Sequence, residues 1–294
     1  MNGMKVRAMF YEKIKDKVHC LLCPHHCVIE NGHLGKCRVR KHEDGELFTL
    51  NYGELTSLAL DPIEKKPLTF FKPRTFILSA GSFGCNFTCS FCQNYSISQY
   101  DPESPVKARS QFVSKEELVQ IALTTEDNIG IAFTYNEPTI WYEYVYDCAR
   151  LLKEKDPKAS VVLVTNGYIN QEPLKQLLPF TDAMNIDLKS FKNETYRKLC
   201  GGRLKPVLQT IETAVKSCHV EITTLLITNE NDSLEEVEEI AKFLSELDSN
   251  IPLHLSRYFP RYQMAHPPTD IGFMRRAAET AGKYLNRVVL GNVW

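Results

Sequence analysis

The run Gly84-Cys85-Asn86-Phe87-Thr88-Cys89-Ser90-Phe91-Cys92-Gln93-Asn94 sets three thiols apart by three and two intervening residues. Thiols so spaced can converge on one metal cluster while leaving one of its irons without a protein ligand. An open iron is a place where a further ligand can bind and react. With ten cysteines in 294 residues, such a triplet arises by chance in roughly one chain in a hundred. Its surroundings must therefore decide its meaning.

A second group, Cys20, Cys23, Cys27 and Cys37, brings four thiols into eighteen residues. Four thiols suit a closed tetrahedral zinc site or an auxiliary iron–sulfur cluster, and thiolate donors accept either metal. A small module with little core of its own gains stability from metal binding, which favours a metal over free thiols. Five of the eight histidines, His19, His25, His26, His33 and His42, fall in the same region. Cys148, Cys200 and Cys218 stand alone. Cys148 reads as a small buried hydrophobe on the amphipathic stretch Trp141 to Leu152, and Cys200, before Gly201-Gly202, as a passive loop thiol.

The elements that must position these groups follow from periodicity. Residues 1–73 read as a small Cys/His-rich module and linker, in which Asp61-Pro62-Ile63-Glu64-Lys65-Lys66-Pro67 holds two prolines that oppose a long helix. From residue 74 to 294, short apolar runs alternate with amphipathic stretches. The runs are Thr75 to Ser79, Ile129 to Tyr135, Val161 to Thr165, Ala183 to Leu188, Val220 to Ile227, Leu253 to Tyr258 and Arg287 to Leu290. Between them lie helical stretches such as Ser114 to Thr124, with Ser114 as N-cap and Glu117 completing a capping box, and Ser233 to Leu247. Such alternation implies an α/β fold with a parallel sheet and right-handed crossovers, and the number of units suits an open, partial (β/α)6-type barrel.

In a barrel, chemistry sits where strands run into loops at their C-terminal ends. The first strand feeds the cysteine triplet. The second ends in Thr134-Tyr135-Asn136-Glu137-Pro138, the third in Thr165-Asn166-Gly167 and the fourth in Asp187-Leu188-Lys189. His254 and Arg257 close the sixth, where a lone histidine is more often structural than catalytic.

Composition narrows the classes. The chain is 43% hydrophobic, enough for a sizeable core, and 35 Lys and Arg balance 36 Asp and Glu, so no global field points toward nucleic acid or membrane. It lacks an apolar run of about 18 residues, and Met1 to Phe10 lacks the apolar stretch of a signal peptide. A cytoplasmic protein is expected, with reduced thiols serving as metal ligands rather than disulfides.

The triplet, with Phe91 before its third cysteine, resembles the signature of the radical S-adenosylmethionine (SAM) enzymes. That resemblance implies a 4Fe-4S cluster on Cys85, Cys89 and Cys92 whose fourth iron is chelated by SAM. It implies one-electron cleavage of SAM to methionine and a 5'-deoxyadenosyl radical that abstracts hydrogen from a substrate, the cofactor carrying the hard chemistry. Asn136 and Glu137 stand where the family usually carries a glycine-rich motif for the SAM amino group, and Glu137 suits an ammonium. By the same analogy Thr165, Asn166, Asp187 and Lys189 contact SAM or substrate, although Asp187 and Lys189 read equally as a plain ion pair.

The resemblance extends over nearly the whole chain. Asp61 to Leu68, Cys92-Gln93-Asn94-Tyr95, Thr134 to Thr139, Asn185-Ile186-Asp187-Leu188-Lys189 and Gly291-Asn292-Val293 look like the AmmeMemoRadiSam-system radical SAM proteins, relatives of the pyruvate formate-lyase activating enzymes. The sequence departs from the activases at Val164, where they carry an Asp before Thr-Asn-Gly, and at Arg257-Tyr258-Phe259-Pro260, where they carry Pro-Tyr-His. AmmeMemoRadiSam relatives often continue past Gly-Asn-Val into a tail bearing a Cys pair, whereas this sequence stops at Trp294. The expected activity is radical hydrogen abstraction that activates a glycyl radical enzyme, or else modifies another macromolecule or a small molecule. An electron donor such as flavodoxin or ferredoxin is implied. A reading of a different class, a zinc-stabilised binding protein, explains the first cysteine group and leaves the triplet without purpose.

Overall fold

The computed structural model describes residues 5–99 and 110–293; Trp294 lies outside the described residues. Seven apolar runs form parallel strands: β2 (Phe76–Gly81), β3 (Asn128–Phe133), β4 (Ser160–Thr165), β5 (Ala183–Asp187), β6 (His219–Leu226), β7 (Leu253–Arg257) and β8 (Val288–Gly291). They lie side by side in chain order. An eighth strand, β1 (Ser57–Pro62), joins the edge antiparallel to β2. The sheet therefore begins before residue 74, within the stretch that the sequence reads as a linker. The strand order runs from β1 to β8 without closing on itself, which is the open form of the expected barrel.

The crossovers include α1 (Lys115–Thr124), α2 (Tyr142–Lys155), α3 (Gln171–Leu177), α4 (Leu204–Ala214), α5 (Leu234–Asp248) and α6 (Ile271–Ala281). Their starts follow the expected cap chemistry. The Ser114 hydroxyl accepts from Glu117 N at 3.1 Å and the Ser233 hydroxyl from Glu236 N at 3.2 Å, satisfying N–H groups that a helix start otherwise leaves unpaired. On α5, Val237, Ile240, Ala241 and Leu244 are buried, one apolar stripe at helical period.

Alternate residues of the strands enter two separate cores. Leu78, Ile131, Val161, Leu163 and Met184 pack with the helices. Ile77, Ala132, Val162 and Ala183 form a second cluster on the opposite face, completed by Ile63 and Leu68. The Asp61 to Leu68 segment is thus a plug for that face. Its prolines keep it from forming more than the single turn Ile63–Lys65, and its polar groups are anchored. Asp61 accepts from Lys66 Nζ at 2.8 Å and Tyr135 OH at 2.7 Å, while Asn185 Nδ2 donates to Pro67 O at 2.8 Å.

Next to the plug, Glu221 is fully buried and accepts from Thr69 N (3.1 Å) and Phe70 N (2.8 Å), with His219 Nε2 at 2.9 Å and His254 Nε2 at 2.6 Å. Burial alone would raise this carboxyl, but the bonds from His219, His254 and Phe70 outweigh it and bring its pKa down from 4.5 to about 2. A depressed carboxyl contributes stability that is present above its unfolded pKa and is lost as pH falls through its folded one. At about 1.4 kcal/mol per pH unit the contribution is on the order of 3 kcal/mol. Glu221→Gln is therefore expected to be less stable than wild type in urea at neutral pH, with the gap narrowing from about pH 4.5 down to about pH 2. A gap that stays constant across that window would refute this account of the carboxylate.

The amino-terminal region forms two small antiparallel sheets, one of Tyr11–Ile14, Lys17–Cys20 and Val28–Ile29, the other of Val6–Arg7, Glu46–Thr49 and Arg40–Glu43. Val18, Leu22, Val39 and Leu47 belong to the same core as the helices and the barrel sheet. Arg40, buried, pairs with Glu143 of α2, and Met9 N donates to Glu143 Oε1 at 2.7 Å. The module is therefore welded to the barrel sheet through α2. Among the described residues, no helix is long and apolar enough to cross a membrane.

Candidate active site: a cysteine loop at the strand ends

The triplet leaves the C-terminal end of β2, the position that a barrel reserves for chemistry. Short polar side chains hold its loop. Asn136 spends both amide atoms on it, accepting from Ser82 N (3.1 Å) and donating to Gly84 O (3.0 Å). Asn86, fully buried, donates to Tyr168 O (2.8 Å) and accepts from Asn166 Nδ2 (2.8 Å). Thr88 N donates to Cys200 O (2.9 Å) and Ser90 N to Leu199 O (3.1 Å), so Cys89 is bracketed by two main-chain bonds.

Gly84 has φ +86°, and a Cβ there would lie 2.6 Å from Val39 Cγ1 and 3.0 Å from Cys37 O. Both the left-handed backbone and the close approach require glycine. Gly84→Ala is expected to cost about 2–4 kcal/mol, because strain and overlap with a backbone carbonyl add. Thermal unfolding followed by circular dichroism measures this, and an unchanged midpoint would count against the packing described.

The thiols feel one another. Cys85 is pushed well above the ordinary thiol value by burial, then by Glu137, Cys89 and Cys92. Cys92 is raised by burial and by Cys89. Cys89 goes the other way: a hydrogen bond from the Cys200 thiol and the Lys189 ammonium lower it against burial. Mutual repulsion of this kind is relieved when a cation takes the place of the thiol protons. Among the described residues, no three His, Cys, Asp or Glu side chains converge to hold a single ion. Three thiols on one loop at this spacing are the soft donors that an iron–sulfur cluster takes, so the donor set fits that group.

Two polar networks flank the triplet. Glu137, buried at 1% exposure, accepts from Thr139 N (2.9 Å), Thr165 Oγ1 (2.7 Å) and Asn166 N (2.8 Å). Burial raises its carboxyl despite these donors. The Asn166 amide also reaches Cys85 Sγ at 3.8 Å. On the other side, Lys189 Nζ donates to Asp187 Oδ2 at 2.7 Å and lies 6.0 Å from the Phe91 ring centroid. Burial works against this ammonium, but Asp187 and Cys89 outweigh it and raise its pKa.

The structure thus gathers Glu137, Thr165 and Asn166 against Cys85, and Asp187 with Lys189 against Cys89. Asn136 sits behind the loop as its clamp. His254 leaves the rim, being the second residue of β7 and bonded to Glu221, whereas Arg257 is the last residue of β7 and stays at the strand end, where its Nε donates to Thr269 O at 2.8 Å. Cys148 is fully buried, as its helix position suggests. Cys200, far from the triplet in sequence, lies beside Cys89, and Asn86 joins two loops. Neither carries a sequence signal of its role, since each depends on a partner from another element.

Near the loop, His25 Nε2 lies 2.7 Å from Asn86 O. Burial lowers the His25 pKa to about 4, so a neutral ring donates this bond.

Comparison with known proteins bears on the family and the fold. Residues 81–244 match the family model described as the Radical SAM superfamily. An uncharacterized protein of Methanocaldococcus jannaschii is 43% identical over 97% of this chain and 85% of its own length. Another protein of that organism, named as a glycyl-radical enzyme activating enzyme, is 31% identical over 70% of this chain and 77% of its own. Among solved structures, a radical SAM methyltransferase from Sphaerobacter thermophilus superposes with a TM-score of 0.58 at 17% identity, covering 75% of this chain and 67% of that one. At that identity it shows a shared fold.

Proposed function

This chain belongs to the radical SAM superfamily, and from that premise we propose that Cys85, Cys89 and Cys92 hold its 4Fe-4S cluster and that the two flanking networks seat SAM against it. When bound, the reduced cluster and SAM supply a 5'-deoxyadenosyl radical for hydrogen abstraction. The observation that carries the residue assignment is the triplet's place at the end of β2, between a buried carboxylate and a half-buried ammonium.

The residues divide the work. A carboxylate offers about four lone-pair sites, and the protein fills three of those on Glu137. The remaining site suits the amino group of SAM. Lys189, held charged by Asp187, suits a carboxylate. A zwitterionic amino-acid end would thus meet one group of each sign. Thr165 and Asn166 fix the Glu137 carboxylate, and Asn136 and Asn86 hold the cysteine loop. Electrons come from a donor of the flavodoxin or ferredoxin class. The four amino-terminal cysteines form a separate metal-binding site.

For the substrate, the reading best supported is a glycine residue of a partner enzyme, because a relative 31% identical to this chain is named as an activating enzyme. Val164, half-buried at the end of β4, favours a second reading. An apolar side chain where activases carry an Asp removes a cation-binding group, which points to a different macromolecule or a small molecule. Reduced protein is mixed with SAM and candidate glycyl radical enzymes, and spectra are taken by electron paramagnetic resonance. A doublet from a glycyl radical supports activation. Continued 5'-deoxyadenosine release with no doublet from any partner favours the second reading.

A further inference from the structure

We infer that Cys20, Cys23, Cys27 and Cys37 bind one tetrahedral metal ion of the zinc class, and that this ion braces the floor of the loop carrying Cys85. The metal assignment stands apart from the radical chemistry, whereas the bracing rests on the reading of Cys85, Cys89 and Cys92 as the cluster site.

The four cysteines line a single cavity of about 10 Å³, closed by Leu22, Ile29 and Ile140. That is room for about one water-sized sphere. A four-iron cluster, with eight core atoms, would have to force the walls apart, whereas one ion asks for a much smaller adjustment. The thiols ring this space without meeting at one coordination point, so binding requires them to turn inward.

The backbone gathers the thiols on tight turns. Cys20 N donates to Cys27 O (2.9 Å), His26 N to Cys23 O (3.1 Å) and Arg38 N to Gly35 O (2.8 Å), which forms tight turns around the thiols. His26 and Arg38 have φ of +48° and +64°, an unfavourable conformation for residues with a Cβ that persists only where the surroundings demand it. Donors are aimed at the sulfurs: Lys36 N lies 3.5 Å from Cys27 Sγ and Arg40 Nη1 lies 3.9 Å from Cys20 Sγ. Four thiolates around a divalent ion leave a net charge of about −2. The buried Arg40 guanidinium, which Glu143 shares, stands beside them.

The same loops touch the radical site. His25, between two of the cysteines, bonds Asn86 O, next to Cys85. The Cys37 carbonyl packs against Gly84. Lys36 Nζ donates to Gly201 O at 2.7 Å, beside Cys200. An ion that fixes Cys23, Cys27 and Cys37 therefore fixes what the triplet rests on, and the four cysteines act as positioning residues for the other site.

The test uses the full chain, purified anaerobically. Elemental analysis and zinc-edge X-ray absorption are expected to show about one zinc per chain in a shell of four sulfurs near roughly 2.3 Å. Cys37→Ser is expected to lose that zinc, while the variant with Cys85, Cys89 and Cys92 replaced by Ala keeps it. Failure of this site and failure of the triplet assignment are thereby separable. A multi-iron cluster on the four cysteines, or no metal there in wild type, overturns the inference; the wild-type measurement decides even if Cys37→Ser does not fold. For the bracing, His25→Ala leaves all four thiols in place, and its triplet iron is expected to pass to a chelator at least about tenfold faster than in wild type, on the scale seen when groups supporting metal ligands are removed. An unchanged rate overturns the bracing.

Discussion

Replacing Cys85, Cys89 and Cys92 together with alanine removes about four irons per chain and reduces 5'-deoxyadenosine formation to the level without enzyme. The loss is expected to be complete because the radical step has no protein substitute: side chains alone do not deliver a single electron to a sulfonium. Folding should largely survive. The loop is held by Asn136, Asn86 and the main-chain bonds of Thr88 and Ser90, not by the thiols. The measurement pairs iron and sulfide analysis with product quantification under a strong reductant. A variant that retains four irons would move the cluster to other cysteines, and one that loses iron yet forms product would remove the chemistry from this site.

The second large effect is at Glu137. Glu137→Ala strands three buried donors, Thr139 N, Thr165 Oγ1 and Asn166 N. At about 1–3 kcal/mol for each unsatisfied group, the cost is on the order of 3–9 kcal/mol. Glu137→Gln separates the clamp from the binding role. It keeps one acceptor oxygen and the side-chain shape, so stability falls by about 1–3 kcal/mol. An amide carries no charge for an ammonium, so SAM affinity is expected to fall at least tenfold, about 1.4 kcal/mol. Urea unfolding and equilibrium SAM binding measure the two effects independently. A Gln variant that binds SAM like wild type would leave Glu137 as a structural clamp and shift recognition of the amino group elsewhere.

Lys189 and Asp187 show how far reading one dimension reaches. Their spacing at the end of a strand is visible in sequence, and either an ion pair or a ligand contact accounts for it. The structure makes the ion pair at 2.7 Å and also sets the ammonium where it lowers the Cys89 thiol. The pair is therefore part of the site's electrostatics. His254 went the other way. Pattern alone puts it at the rim because pattern does not carry strand register, and in the structure it lies lower in β7, bonded to Glu221.

The sequence by itself determined the donor triplet, the alternation of strands and helices, and the caps at Ser114 and Ser233. These depend on spacing and periodicity over a few residues, and neighbours in the chain are neighbours in space at that range. Only the tertiary structure decided which polar atoms remain free. Both amide atoms of Asn136 are spent on the cysteine loop, and Glu137 meets donors 28 and 29 positions away. It also turned residues 57–68 from linker into an edge strand, Ser57–Pro62, and the plug that follows it. It placed Cys200 beside Cys89 and the four amino-terminal thiols around one small cavity. Hydrogen-bond and sulfur partners across adjacent parallel strands are separated by whole crossovers, so their identity is fixed by strand order and register, which no local pattern encodes.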